Sequence, residues 1–166
     1  FDCGIVGGET SRLPQAGAIL TIAMTGTVRP ALCVFRKGAS PGDLIAVSGR
    51  LGGSFESGRH LTFTPRLKEA AWLVEHAKPT AMMDLSDGLA ADLPRLARAS
   101  GCGFTLEMET IPRSPGVTLD QALRDGEDFE LLFALPPRLA AKLEGAWPKK
   151  FPRLRLTRIG QLSASQ

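Results

Sequence analysis

The sequence predicts a domain of the α+β class, in which helices pack on a β-sheet. Segments with the apolar spacing of amphipathic helices alternate along the chain with short apolar segments that are typical of strands. The composition, 43% hydrophobic and 22% charged, is that of an ordinary folded protein. With 166 residues, the chain can form one domain with a sizeable core, or one domain and a fragment of another. Because helices and strands are interspersed, an α/β arrangement is the alternative within this prediction.

The first part of the chain carries two predicted strands separated by a connection. Residues 18–28 are apolar and rich in Ile and Thr, which favours a strand. Residues 30–42 form the connection and carry the turn-forming sequence Ser-Pro-Gly-Asp at 40–43. A short strand is predicted at residues 44–48, and a glycine-rich loop follows at residues 49–58.

Two amphipathic helices are predicted in the middle of the chain. Leu67, Ala70 and Val74 recur at helix spacing, which predicts a helix over residues 65–76. A second helix is predicted to run from about residue 88 to residue 99, since the Ser-Gly that follows is a typical helix stop. The remaining predicted elements are strands at 81–83, 104–108, 130–135 and 154–159, and helices at 119–124 and 137–144.

The sequence also argues against several classes of protein. No apolar run approaches the roughly 20 residues of a membrane-spanning helix, so we expect no membrane partner. Cys3, Cys33 and Cys102 are widely separated and lack the paired spacing of a zinc site. Reduced thiols and a cytoplasmic location are the simple interpretation. The formal net charge of +3 suits an anionic ligand without identifying one.

Three acidic, glycine-containing loops stand out, each beside a predicted strand, at residues 7–10, 84–88 and 126–130. Glycine lets the backbone approach a ligand closely, and carboxylates suit a hard cation. Magnesium prefers few carboxylates together with water and phosphate oxygens, which a nucleotide would supply. A P-loop and a Gly-x-Gly-x-x-Gly motif are both absent from the sequence.

The loop at residues 84–88 is the most informative of the three. Asp84 follows an apolar strand, and Asp87 precedes a helix. Ser86 can offer its hydroxyl and backbone N–H near the helix N-terminus, where partial positive charge favours phosphate. The structural alternative is that Ser86 or Asp87 simply caps the helix, which leaves Asp84 without an explanation. For the other two loops the alternative is an ordinary turn.

Taken together, these loops resemble the thiamine-monophosphate kinase family. That family belongs to a superfamily with aminoimidazole ribonucleotide synthetase and selenophosphate synthetase. The matching stretches are Val-Gly-Gly-Glu-Thr at 6–10, Arg-Lys-Gly-Ala-Ser-Pro-Gly-Asp at 36–43, Met-Asp-Leu-Ser-Asp-Gly-Leu at 83–89 with Asp92 and Leu93, and Gly-Glu-Asp-Phe-Glu-Leu at 126–131. The last stretch separates this family from its superfamily relatives.

The resemblance implies an architecture and an activity. It implies an α/β sandwich with a mixed sheet, the C-terminal domain of the superfamily fold. Residues 1–36 would be the tail end of an N-terminal ATP-binding domain, and residues 37–166 the C-terminal domain, shortened at its end. The activity implied is transfer of the ATP γ-phosphoryl group to thiamine phosphate with Mg²⁺. The full-length enzyme would be a homodimer without nucleic-acid or membrane partners, and this chain alone would be inactive.

The resemblance also assigns roles to individual residues. Asp84 and Asp87 would be magnesium ligands, Ser86 would contact ATP, and Glu127 would contact thiamine phosphate.

Toward the start of the chain, Arg36 would contact ATP, while Gly8 and Glu9 would line the nucleotide. Glu9 would also lie near the metal, where the family usually has Asp. The resemblance assigns no side chain as a catalytic acid or base, since a phosphate acceptor is already ionised.

Two other functions remain as alternatives. One is another ATP-dependent synthetase of the same superfamily. The other is a non-catalytic module that binds RNA or another polyanion through a basic cluster near the end of the chain, formed by Lys149, Lys150, Arg153, Arg155 and Arg158. We interpret this cluster as the solvated face of an edge strand, because lysine on an edge discourages aggregation.

Overall fold

A computed structural model describes residues 4–8 and 14–165. These described residues form five strands and five α-helices, with single 3₁₀ turns at Pro30–Leu32 and Met108–Thr110. In chain order the elements are β1 (Leu44–Ser48), α1 (Arg59–Thr62), α2 (Leu67–His76), β2 (Ala81–Leu85), α3 (Leu89–Ala99), β3 (Cys102–Leu106), α4 (Leu119–Arg124), β4 (Glu130–Leu135), α5 (Pro137–Lys150) and β5 (Leu156–Ala164). Among these helices none is both long and apolar enough to cross a membrane.

The five strands form one sheet in the order β2-β4-β1-β5-β3, and every neighbouring pair is antiparallel. The α+β class is confirmed, but the expectation of a mixed sheet is wrong. Helix α3 does carry the chain from β2 to β3, which run in the same direction. These two strands occupy opposite edges of the sheet, so the crossover creates no parallel neighbours.

Helices cover both faces of the sheet, which confirms the sandwich. On one face, α3 and α4 pack over a core that includes Ile45 and Leu132. On the other, α2 and α5 pack over a core that includes Ala46 and Phe133. Neighbouring residues alternate between the two cores because successive side chains of a strand point to opposite faces. Strand β4 is buried at all six positions and is therefore the best-covered strand of the sheet.

Two helix starts follow from local sequence. Thr118 and Gln121 form a reciprocal capping box at the start of α4, and Pro137 occupies the first position of α5. Helix α5 was predicted to end at residue 144 but continues to Lys150, with Pro148 in its last turn. Burial of Trp147, which is 1% exposed, stabilises these last residues as helix despite the proline.

The strand predicted at residues 18–28 is wrong. Residues 14–29 belong to no helix or strand, and Ile19, Leu20 and Ile22 are 77%, 91% and 84% exposed. The composition favours an extended backbone, but a strand also needs a hydrogen-bonded neighbour. None of the five described strands pairs with this segment.

The segment that precedes β1 contacts the sheet from about Phe35 onward. The Met82 N–H donates a hydrogen bond to the Phe35 carbonyl at 3.0 Å, so this segment runs beside the edge strand β2. Gly38, at φ +121°, continues the contact: a Cβ there would stand 2.7 Å from the Thr80 carbonyl oxygen. Residues 35–38 therefore shield part of an exposed sheet edge.

The interpretation of the basic cluster as an edge strand is also wrong. Strand β5, which carries Arg158, pairs with β1 on one side and β3 on the other. Lys149 and Lys150 end α5, and Arg153 and Arg155 lie in the turn before β5. Protection of a free edge therefore does not explain these cationic residues.

Candidate functional site

Two of the three acidic loops lie side by side at one end of the sheet. The first acidic loop (residues 84–88) begins with the last two residues of β2, and the second acidic loop (residues 126–130) leads into β4. The Glu127 N–H donates to the Ser86 carbonyl at 2.7 Å, and the Phe129 N–H donates to the Leu85 carbonyl at 2.8 Å. Segments about 40 residues apart in sequence are thus joined through their backbones.

Gly126 makes this close contact possible. Its φ is +72°, and a Cβ at this position would stand 2.8 Å from the Ser86 carbonyl oxygen and 3.1 Å from the Asp87 carbonyl carbon. Both the backbone conformation and the space available therefore require glycine.

We expect Gly126→Ala to lower the free energy of unfolding by about 2 kcal/mol, because the methyl group meets backbone that cannot move aside cheaply. Gly145→Ala in α5 is the matched control, since nothing lies within 4 Å of its added Cβ. It should raise stability by about 0.5–1 kcal/mol through helix propensity. Urea unfolding measures both variants, and equal stability of the two would contradict the close contact at Gly126.

The buried carboxylate of Asp92, in the first turn of α3, organises the first acidic loop. Its Oδ2 accepts the backbone N–H groups of Ser86 at 3.0 Å and Asp87 at 2.9 Å. Arg95 donates to Asp92 Oδ1 at 2.8 Å and also pairs with Asp87. The acidic first turn of a helix is a signal for such a role, but sequence reasoning noted Asp92 only as part of a resemblance. Asp92 is therefore a positioning residue.

The exposed carboxylates of the first loop are Asp84 and Asp87. Helix α3 has Gly88 at its N-cap without a side-chain capping bond, so the alternative that Ser86 or Asp87 caps the helix is wrong. Within the described ranges, no three His, Cys, Asp or Glu side chains come together as a metal cage. Two exposed carboxylates in one loop still suit magnesium, which takes few protein ligands and completes its shell with water and phosphate.

The second acidic loop presents Glu127 on a constrained backbone. Glu127 and Phe129 have φ values of +52° and +49°, which are unusual for residues other than glycine. Phe129 stacks on Phe63, with ring centroids 4.1 Å apart. The Glu127 side chain is exposed between these anchored neighbours. Such strain persists only where the surrounding structure holds it, and it concentrates at functional sites.

Asp128 ties the second loop to the glycine-rich loop at residues 49–58. Its two oxygens accept the Gly52 N–H at 2.9 and 3.0 Å, and Arg59 forms an ion pair with it. Burial raises the pKa of Asp128 above its ordinary value, while the Gly52 bond and the Arg59 charge oppose the rise. Asp125 makes a parallel bond to the Gly53 N–H at 2.9 Å. Both carboxylates fix loops, although Asp128 is buried and Asp125 is exposed.

Glu130 is the other buried carboxylate of the second loop. It accepts bonds from Ser48 Oγ at 2.6 Å and from Arg66 Nε and Nη2 at 2.8 and 2.6 Å. The hydrogen bond to Glu130 raises the pKa of Arg66. Gly49 leaves room for this group, because a Cβ there would stand 2.2 Å from Glu130 Oε1. The second acidic loop thus contains one exposed carboxylate and two buried carboxylates that hold the structure together. Sequence reasoning missed the structural role of these two.

The structure does not bring all the predicted site residues together. Asp84, Ser86, Asp87 and Glu127 lie in the two joined loops.

The other predicted site residues lie earlier in the chain. Arg36 is exposed in the segment beside β2. Gly8 is exposed, and nothing lies within 4 Å of where its Cβ would stand. Glu9 lies outside the described residues.

Comparisons with known proteins match this architecture. The family model described as AIR synthase related protein, C-terminal domain, matches residues 43–165. A thiamine-monophosphate kinase from Rhodopirellula baltica is 36% identical over 98% of this chain and 52% of its own length. The crystal structure of thiamine-monophosphate kinase from Stenotrophomonas maltophilia superposes with a TM-score of 0.73 at 27% identity, covering 84% of this chain and 53% of that one.

A further structural neighbour is AaThiL complexed with AMPPCP and TMP, with a TM-score of 0.57 at 29% identity over 80% of this chain and 48% of that one. The chain spans about half the length of the curated relatives it matches. These matches confirm the resemblance predicted from the acidic loops.

Proposed function

Because the chain belongs to the family described as AIR synthase related protein, C-terminal domain, we propose that it is part of an enzyme that transfers the γ-phosphoryl group of ATP to thiamine phosphate. Its resemblance to about half of several thiamine-monophosphate kinases supports this proposal. The observation that carries the proposal is the backbone contact between Glu127 and Ser86. This contact supports the proposal because it joins the loop that we propose binds the nucleotide to the loop that we propose binds the acceptor, as phosphoryl transfer requires.

Each loop has its own role in this proposal. Asp84 and Asp87 hold magnesium, and Ser86 contacts the ATP phosphates near the start of α3. Bound magnesium supplies positive charge that offsets the repulsion between two phosphate-bearing reactants. Arg95, which already pairs with Asp87, orients that carboxylate. Glu127 presents a carboxylate to thiamine phosphate, whose thiazolium ring is cationic.

The phosphate acceptor is already ionised, so the reaction needs alignment and charge neutralisation rather than a protein base. We propose direct in-line transfer without a phosphoenzyme. A quenched reaction that contains a covalently labelled protein would contradict this step.

Residues near the start of the chain extend the proposal. Gly8 and Glu9 line the nucleotide, Arg36 contacts ATP, and Glu9 also lies near the metal. In this view residues 1–36 belong to an N-terminal ATP-binding domain and residues 37–166 to the C-terminal domain. We further propose, from the resemblance, that the full-length enzyme is a cytoplasmic homodimer and that the present chain alone is inactive.

A coupled assay on the full-length parent protein tests the proposed function. We expect thiamine diphosphate to form from ATP and thiamine phosphate, and activity to disappear when a chelator removes divalent cations and to return when Mg²⁺ is added. Other acceptors of the superfamily's synthetases serve as controls and should give no product. Turnover of such an acceptor, with none of thiamine phosphate, would overturn the assignment.

A further inference from the structure

A second candidate ligand site lies on the α5 face of the sheet, and its lining contains none of the exposed carboxylates Asp84, Asp87 and Glu127. A cleft of about 580 Å³ is lined by four arginines, by the buried ion-pair partner Glu130 and by apolar residues of α5 and the turn after it. The arginines are Arg50, Arg66, Arg153 and Arg155. We propose that this basic cleft binds a small molecule that carries a phosphate or pyrophosphate group. The proposal does not depend on the kinase function.

The arginines stand on backbone that is held in place from several sides. The Gly49 N–H donates to the Arg155 carbonyl at 2.8 Å, which joins the end of β1 to the turn before β5. The Trp147 indole N–H donates to the Leu154 carbonyl at 2.7 Å, between the two arginines of the turn. A binding site built on fixed backbone loses less entropy when it orders around a ligand.

The charges of the cleft are unbalanced. Arg66 pairs with Glu130, but across residues 4–8 and 14–165 no carboxylate oxygen lies within 4.0 Å of Arg50, Arg153 or Arg155. Glu144 is the other acidic residue of the lining. The lining therefore has an excess of positive charge, and planar guanidinium groups bind phosphate oxygens in pairs.

The shape of the cleft favours a small ligand over a polymer. Its volume lies within the roughly 300–1,000 Å³ of small-molecule sites. Phe151, Pro148 and Pro152 supply an apolar wall beside the charges. Apolar walls with a few convergent polar groups are typical of sites for small molecules. The position of β5 inside the sheet removes edge protection as the reason for these arginines.

The test is a titration of the 166-residue chain with inorganic pyrophosphate in metal-depleted buffer. Binding is measured by calorimetry and by the NMR resonance of the Trp147 indole N–H. Magnesium is left out so that the carboxylates of the first acidic loop cannot recruit the probe through a cation. We expect saturable binding with a shift of the Trp147 resonance. Orthophosphate in a parallel titration shows whether one phosphate group is enough.

The double variant Arg153→Ser/Arg155→Ser should weaken pyrophosphate binding at least tenfold and abolish the Trp147 shift. The matched control is Arg98→Ser/Arg138→Ser, which removes the same charge from exposed positions on α3 and α5 outside the cleft and should change affinity less than twofold. Glu144→Gln removes a repulsive charge and should strengthen binding. Absence of saturable binding, or equal weakening in both double variants, overturns the proposal. Either result leaves the kinase assay unaffected.

Discussion

Replacing Asp84 by Asn is expected to lower kcat/KM of the full-length enzyme about 100-fold, which corresponds to about 2.7 kcal/mol of transition-state stabilisation. The amide keeps the shape of the side chain but removes the charge that would bind magnesium. Because Asp84 is exposed on an edge strand, the thermal midpoint should change little. Steady-state kinetics at several Mg²⁺ concentrations is the measurement, and high Mg²⁺ should restore part of the lost activity.

Asp120→Asn is the matched control for this variant. Asp120 is exposed on α4 and pairs only with Arg124 among the described residues. Its replacement by Asn therefore changes the net charge equally without altering a residue of either acidic loop. We expect its kcat/KM to stay within twofold of the wild type. If Asp84→Asn behaves in the same way, Asp84 does not hold the cation.

The largest effect on stability is expected for Glu130→Ala, at about 3–5 kcal/mol of unfolding free energy. The substitution leaves Arg66, whose side chain is 24% exposed, without its carboxylate, and it removes the acceptor of the buried Ser48 hydroxyl. The loss is a large fraction of the stability of a typical domain. Urea denaturation of the chain measures it.

Glu75→Ala on the exposed face of α2 is the control and should change the unfolding free energy by less than about 0.5 kcal/mol. A double-mutant cycle with Arg66→Ala then isolates the pair, because the second substitution removes the unpaired cation. A loss below about 1 kcal/mol for Glu130→Ala would show that the buried pair contributes little.

The sequence predicts those parts of the fold that local physics determines. The strand at residues 130–135 and the helix at residues 119–124 have the predicted bounds, because unbroken apolar sequence and a capping box act over a few residues. The segment at residues 18–28 shows the limit of the same reasoning. Its composition is typical of a strand, but pairing depends on what lies beside it.

The candidate site, too, could be predicted from the sequence only in part. Glycines and acids in short motifs indicated the two loops, and the structure shows them in contact. The motifs do not distinguish Glu127, which is exposed, from Asp128 and Glu130, which are buried in bonds to Gly52, Ser48 and Arg66. Those partners lie more than 60 residues away in sequence, so only the tertiary structure reveals which carboxylate is available to a ligand.

The position of β1 in the sheet has a consequence for biosynthesis. This strand is made early, yet both of its neighbours, β4 and β5, come late, and Leu44 pairs with Gln161. During synthesis on a ribosome, β1 stays without its partner strands until almost the whole domain has left the exit tunnel. Non-local pairing of this kind slows folding and meanwhile leaves the unpaired backbone and the apolar side chains of β1 open to other chains.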